Sequence, residues 1–222
     1  MVSKGLALLT PAERNKPDRL KRALLKGMRH IEPEHDWVVA GSEIEKQPES
    51  SVVVSFIADA SGSSIRFLPA YKRAINFLKM LISQNYKNVV YKFILFNTKA
   101  FEVTEHDFYR TSLSGGTDYS SALKMDLAIK KEQFPRNKWN RYTFLFGDME
   151  DDLSNVAEPL KHLIAEQEYV GFMMAGSADH FDLPKYLEGL HVENPHFGFV
   201  NTGPEGDFNL GHLQDMLKSK DE

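Results

Sequence analysis

Asp59-Ala60-Ser61-Gly62-Ser63 sets one carboxylate and two hydroxyls in a single short stretch, directly after the apolar run Val52-Val53-Val54-Ser55-Phe56-Ile57. A β-strand that ends in D-x-S-x-S delivers all three oxygens to one turn at the edge of a sheet. Hard divalent cations such as magnesium take oxygen ligands of this kind and keep several waters beside them. One short loop rarely completes such a site, so further oxygens are expected from elsewhere in the chain. Two other loops offer them. Ser114-Gly115-Gly116-Thr117-Asp118-Tyr119-Ser120-Ser121 precedes a helical pattern. Its two glycines permit close backbone approach and positive φ angles, and Thr117 can then aim its hydroxyl at a neighbouring loop. The same residues also make a sound helix start, with Thr117, Asp118 or Ser120 capping exposed amides. Phe146-Gly147-Asp148-Met149-Glu150-Asp151-Asp152 follows an apolar run at 142–146, and Asp148 stands at the end of that strand as Asp59 does on its own. Glu150, Asp151 and Asp152 read as a solvated acidic loop or a helix N-terminus, where the dipole favours carboxylates.

Loops that are to meet must leave strands that end together. Residues 52–58 form a nearly unbroken apolar run rich in β-branched side chains, the pattern of a strand buried on both faces. Residues 89–96, 142–146, Tyr169–Met174 and 196–200 predict four more main strands, and 101–104 a short edge strand. Phe67, Leu68, Tyr71, Ala74, Ile75, Leu78, Leu81 and Ile82 recur at spacings of three and four, an amphipathic helix. Helices are also predicted over 119–134, 155–168 and near Leu210–Leu217. Strands alternating with helices imply βαβ units. The fold class expected is therefore α/β: a doubly wound, Rossmann-like, mostly parallel sheet with helices on both faces. Ligands of such sheets bind beyond the carboxyl ends of the strands, near the topological switch point, and Asp59 falls there. Residues 1–50 read as an amino-terminal extension. Lys16-Pro17-Asp18 opens a short basic helix with Leu20, Ala23, Leu24 and Met28 at helical spacing, and the polar stretch 41–51 reads as a connector. The main domain is expected over 51–222.

A chain of 222 residues suits one large domain, or one domain with an extension. A formal net charge of -4 gives no electrostatic case for nucleic-acid or membrane binding. The absence of cysteine excludes disulfides, zinc–thiolate sites, iron–sulfur clusters and thiol catalysis together. The first ten residues hold only a brief apolar stretch, too short for a signal-peptide core. No segment approaches the roughly 20 apolar residues needed to span a bilayer. A soluble, cytoplasmic protein is expected.

Three oxygen-bearing loops at one edge of one sheet resemble the metal-ion-dependent adhesion site of von Willebrand factor A domains, and the chain resembles that superfamily from about residue 51 onward. Within it, several runs look like the bacterial YeaH/YhbH group: Ala58-Asp59-Ala60-Ser61-Gly62-Ser63, Glu102-Val103-Thr104-Glu105-His106-Asp107-Phe108, Ser114-Gly115-Gly116-Thr117, Ser120-Ser121-Ala122-Leu123 and Trp139-Asn140, in that order. Members of the group are longer, so the chain looks like a shortened relative of their carboxyl-terminal portion. The resemblance implies a bound Mg2+, with Mn2+ or Ca2+ as substitutes. It implies Ser61 and Ser63 as direct ligands, Asp59 and Asp148 acting mainly through bound waters, and Thr117 acting directly or through water. One coordination position is then left for water or for an Asp or Glu of a protein partner. The group is associated with a serine-kinase and a SpoVR-type protein, which extends the resemblance to partners of that kind. There is one departure. Many relatives follow the loop Asp with Gly, whereas here Asp148 precedes Met149 and Gly147 lies before it. The backbone of the third loop should differ accordingly.

Other chemistry is poorly represented. None of the eight histidines forms H-x-x-x-H or another helical metal pair, and His106, in Glu105-His106-Asp107, reads as a surface or structural residue. Ser61 lacks the G-x-S-x-G elbow of a nucleophile, and no G-x-x-x-x-G-K-[ST] phosphate loop is present. Trp139, with Phe134 and Tyr142, reads as core or strand-edge packing. A metal held by aspartates could support phosphoryl or nuclease chemistry, but such sites use carboxylates as direct ligands, often with two ions about 3.5–4 Å apart. Hydroxyls dominate here and no general base is evident. The function expected is metal-dependent protein–protein interaction without enzymatic turnover. The alternatives are a metal-dependent phosphohydrolase or nuclease, and an interaction scaffold that holds no metal.

Overall fold

The run 52–58 shows no alternation because neither side of its strand meets water. Val52, Val53, Val54, Phe56, Ile57 and Ala58 are all fully buried, as in the central strand of a sheet covered on both faces. In the computed structural model this strand is β1 (Gln47–Asp59). The structure describes residues 47–217 apart from 112, 114, 149 and 177–181, with side chains from Ser51 onward. β1 starts at Gln47, so the last residues of the expected connector belong to the sheet, with an irregularity in pairing between Gln47 and Ser51. The expected basic helix around Leu20, Ala23, Leu24 and Met28 lies outside the described residues.

The other strands are β2 (Tyr86–Phe96), β3 (Ala100–Val103), β4 (Trp139–Gly147), β5 (Tyr169–Met174) and β6 (Phe197–Asn201). Among the described residues they form one six-stranded sheet in the order β3-β2-β1-β4-β5-β6. Every pairing is parallel except that of β2 with the edge strand β3. The chain runs outward from β1 to β2 on one side, then returns to lay β4 against the other side of β1. The switch point lies between β1 and β4, the strands that end at Asp59 and Gly147.

Helices α1 (Leu68–Asn85), α2 (Glu105–Phe108) and α6 (Leu210–Leu217) cover one face, and α3 (Tyr119–Gln133), α4 (Leu153–Glu166) and α5 (Asp182–Glu193) cover the other. The alternation of β1 divides its side chains between two cores. Val52, Val54, Phe56 and Ala58 join Leu78, Leu81, Leu213 and Met216. Val53 and Ile57 join Leu123, Leu160 and Leu187. The expected strands and principal helices are present within a few residues of the sequence pattern. Helix α5 is not expected from that pattern. It buries only Leu183 and Leu187, and Pro184 and Gly189 break its apolar period. Trp139 packs edge-on against Phe134 at 4.9 Å, the strand-edge role read for it.

Helix α3 is seated by a polar clamp. Asp126 and Lys130, one turn apart, are fully buried and paired at 3.0 Å. Lys130 Nζ also donates to the Tyr142 carbonyl at 2.7 Å and to Thr143 Oγ1 at 2.5 Å. Thr143 donates to Asp126 Oδ2 at 2.6 Å, and Ser55 donates to Asp126 Oδ1. Burial pushes Lys130 down to about 8, against the pull of Asp126. Ser55 is on β1 and Thr143 on β4, so the clamp joins α3 to the two strands flanking the switch point.

Candidate metal centre

Asp59 ends β1 and is fully buried. Its Oδ1 accepts the Ser61 N–H at 2.8 Å, the short-range turn that Asp favours. That turn brings Ser61, itself buried, to within 3.3 Å of Ser63, oxygen to oxygen. Asp148 lies just past the end of β4, is 4% exposed, and accepts the Glu150 N–H at 3.2 Å. The register that pairs Ala58 with Phe146 brings the two strand ends side by side. Each aspartate keeps its Oδ2 buried, with no hydrogen-bond donor among the described residues. Burial, then the Asp148 charge, pushes Asp59 from its ordinary 3.8 up to about 7. The hydrogen bonds from Ser61 pull it down. The same two carboxylates add to the burial that raises the Tyr71 hydroxyl, which is 3.4 Å from Ser64 Oγ.

The Thr117 loop is drawn to this edge by backbone. The Leu113 N–H donates to the Ala60 carbonyl at 3.2 Å, and the Asp118 N–H to the Asn97 carbonyl at 2.8 Å. Gly115 has φ +130°, a conformation that side chains disfavour, and it lies against Asn97. Thr117 is half-buried on this loop. Among the described residues no hydrogen bond joins it to the other four oxygens. Asp59, Ser61, Ser63 and Asp148 therefore form one cluster by side-chain contact and charge, and Thr117 lies on a loop tied by backbone to Ala60 and Asn97. Met149 and Ser114 lie outside the described residues.

Two buried carboxylates without a cationic partner are costly, because each ionised group has lost its water. Among the described residues no ion pair includes either one. Among the described residues there is also no group of three or more His, Cys, Asp or Glu side chains suited to a metal. The donor set is thus two carboxylates and neighbouring hydroxyls, all oxygen. That set fits a hard divalent cation completing its shell with water, and it fits soft metals poorly.

Asp151, the steric role of Gly147 and the Asp126–Lys130 clamp escaped the sequence reading. Asp118 caps α3 by accepting the Ser121 N–H at 3.2 Å, and Asp152 caps α4 by accepting the Ser154 N–H at 2.9 Å; both follow the helix-start reading. Asp151 does not follow it, because its Oδ2 reaches across to the Tyr119 N–H at 2.8 Å. Gly147 is needed for space rather than for backbone freedom: a Cβ there would stand 1.7 Å from the Tyr119 hydroxyl. The Asp126–Lys130 clamp had a visible signal, an Asp and a Lys at i, i+4 in a helix bearing few other core residues.

The six-stranded, mostly parallel sheet with helices on both faces is an α/β fold of the von Willebrand A type. The structure of a von Willebrand factor type A protein from Catenulispora acidiphila matches 76% of this chain and 41% of that one, with a TM-score of 0.51 and 14% identity, a likeness of fold. The chain belongs to the family described as "Protein of unknown function (DUF444)", whose model matches residues 18–208. It is similar to the UPF0229 protein SG1344 of Sodalis glossinidius, 31% identical over 74% of this chain and 40% of the relative. It is also similar to the UPF0229 protein VP0986 of Vibrio parahaemolyticus, 30% identical over 87% of this chain and 48% of the relative. The chain thus spans less than half the length of these relatives. Among its described residues no helix is long and apolar enough to cross a membrane.

Proposed function

We propose that this chain is a divalent-cation-dependent protein-interaction domain of the YeaH/YhbH type. Asp59, Ser61, Ser63, Thr117 and Asp148 would hold Mg2+, or Mn2+ or Ca2+ in its place, and leave one position for an Asp or Glu of a partner. The observation that carries this reading is the pair of buried strand-end carboxylates, each with an oxygen that has no partner and no cationic side chain to neutralise it among the described residues. When bound, the ion supplies a positive centre open to one further carboxylate. The chain's own residues do the rest. Asp59 orients the serine turn through the Ser61 N–H, the buried clamp fixes α3 between β1 and β4, and Gly115 and Gly116 leave the rim low enough for a partner side chain to approach.

A hydrolytic reading would use Asp59 as a base, since a carboxyl near 7 is poised for proton transfer. A cation at the pair would displace that proton and lower its affinity, which removes the base where the metal is needed. Binding is therefore the reading we adopt. By family resemblance, the partners to test first are a serine-kinase and a SpoVR-type protein, in the cytoplasm.

Calorimetric titration with MnCl2 and MgCl2 tests the site. The wild type should take up one ion, and Asp59→Ala none. Retention of a partner from lysate on the immobilised domain should then require Mg2+ and be lost both with EDTA and on Asp59→Ala. Partner binding indifferent to both changes would defeat the metal-bridged reading.

A further inference from the structure

Asp151 lies three residues beyond Asp148, outside the proposed donor set, and yet it is the residue that ties the third loop to the second. Its Oδ2 accepts the Tyr119 N–H at 2.8 Å across 32 residues of chain. Its Oδ1 accepts the Asp152 N–H at 2.7 Å and the Asn155 side-chain amide at 3.3 Å, which anchors the carboxylate to the start of α4. Tyr119 is the first residue of α3, two positions after Thr117. The start of α3 already has a local cap in Asp118, so a carboxylate from a distant loop is not needed to begin the helix. A second contact reinforces the link. The Tyr119 ring occupies the space that the absent side chain of Gly147 leaves, and packs against Phe96 at 4.7 Å and Phe172 at 5.6 Å.

Asp148 is thus bracketed by two residues that hold Tyr119, Gly147 before it by shape and Asp151 after it by hydrogen bond. From this geometry we infer that Asp151 is a positioning residue, which sets the Thr117 loop at a fixed distance from Asp148 so that a cation meets a preformed set of oxygens. The inference rests on the metal site proposed above. Outer-shell partners of metal ligands commonly change affinity by about tenfold to a hundredfold when removed. An unpinned loop would have to be ordered at the moment of binding.

The test titrates MnCl2 into the wild type, Asp151→Ala and Asp151→Asn by calorimetry, with thermal unfolding of each in EDTA. Asp151→Ala should bind Mn2+ at least about tenfold more weakly while its metal-free melting temperature stays near that of the wild type. Asp151→Asn keeps an acceptor oxygen for the Tyr119 N–H without the charge, and should bind within about threefold of the wild type. Equal affinity of Asp151→Ala and wild type overturns the inference. So does equal weakening of the Ala and Asn variants, which would assign the effect to charge rather than position. If Asp151→Ala does not fold, the Asn variant against the wild type decides between charge and position, supported by hydrogen exchange at the Tyr119 amide. Failure of the wild type to bind Mn2+ overturns the metal site itself, and is recognised because the control then shows no heat.

Discussion

Replacing Asp59 with Asn should stabilise the metal-free protein at high pH and leave it nearly unchanged in acid. Asp59 is pushed from 3.8 to about 7, chiefly by burial and next by the Asp148 charge. Between those values the folded protein holds a proton that the unfolded chain has released, so stability falls as pH rises through the window and the loss is complete above about 7. At 1.36 kcal/mol for each unit of pKa, the full penalty is about 4 kcal/mol. The part acquired between pH 5 and pH 8 is about 2–3 kcal/mol. Asn at this position keeps the shape and the acceptor oxygen for the Ser61 N–H but does not titrate. Urea unfolding in EDTA at half-unit steps of pH would measure the difference between the two proteins, in which titrating groups away from the Asp59–Asp148 pair cancel. That difference should widen by about 2–3 kcal/mol in favour of Asp59→Asn. Adding MgCl2 at about a hundredfold excess over its calorimetric dissociation constant should then stabilise the wild type, by about 2.7 kcal/mol, and the Asp59→Asn variant less. A difference that stays flat from pH 5 to pH 8 would refute the assignment of Asp59 and Asp148 as an uncompensated buried pair.

Lys130→Met should destabilise the fold by about 3–5 kcal/mol, because it leaves Asp126 buried without its cation; chemical denaturation measures it, and joint replacement of Asp126 and Lys130 by apolar residues should recover most of the loss. Gly147→Ala should cost about 1–3 kcal/mol by overpacking against the Tyr119 hydroxyl, with partial rescue by Tyr119→Phe, read from melting temperatures. Ser61→Ala removes a hydroxyl whose neighbour is the Ser63 oxygen, so it should change stability by less than about 1.5 kcal/mol and yet weaken Mn2+ binding in the same calorimetric assay.

Much of the fold was legible because its apolar patterns are strong. The run 52–58 and the repeat from Phe67 to Ile82 bury nearly every apolar residue they contain, and burial of that kind is written directly into residue type. Helix α5 was not legible, since two buried leucines supply too little pattern for a helix held by its neighbours. In the candidate site, Asp59 and Asp148 could be read from their place at strand ends. Asp151 could not be separated from Glu150 and Asp152, because all three are acidic residues ahead of a helix and only the position of Tyr119 distinguishes them.

The sequence by itself determined that D-x-S-x-S and Asp148 would stand at the carboxyl ends of strands buried on both faces, since these are local patterns and a strand's carboxyl end follows from its direction. Only the tertiary structure decided that β4 pairs beside β1, and so that Asp59 and Asp148 face one another with an oxygen each left unpaired. That adjacency is a matter of strand order and desolvation, and neither is a property of any one segment. It is also what holds the proton on Asp59 well above the ordinary carboxylate range.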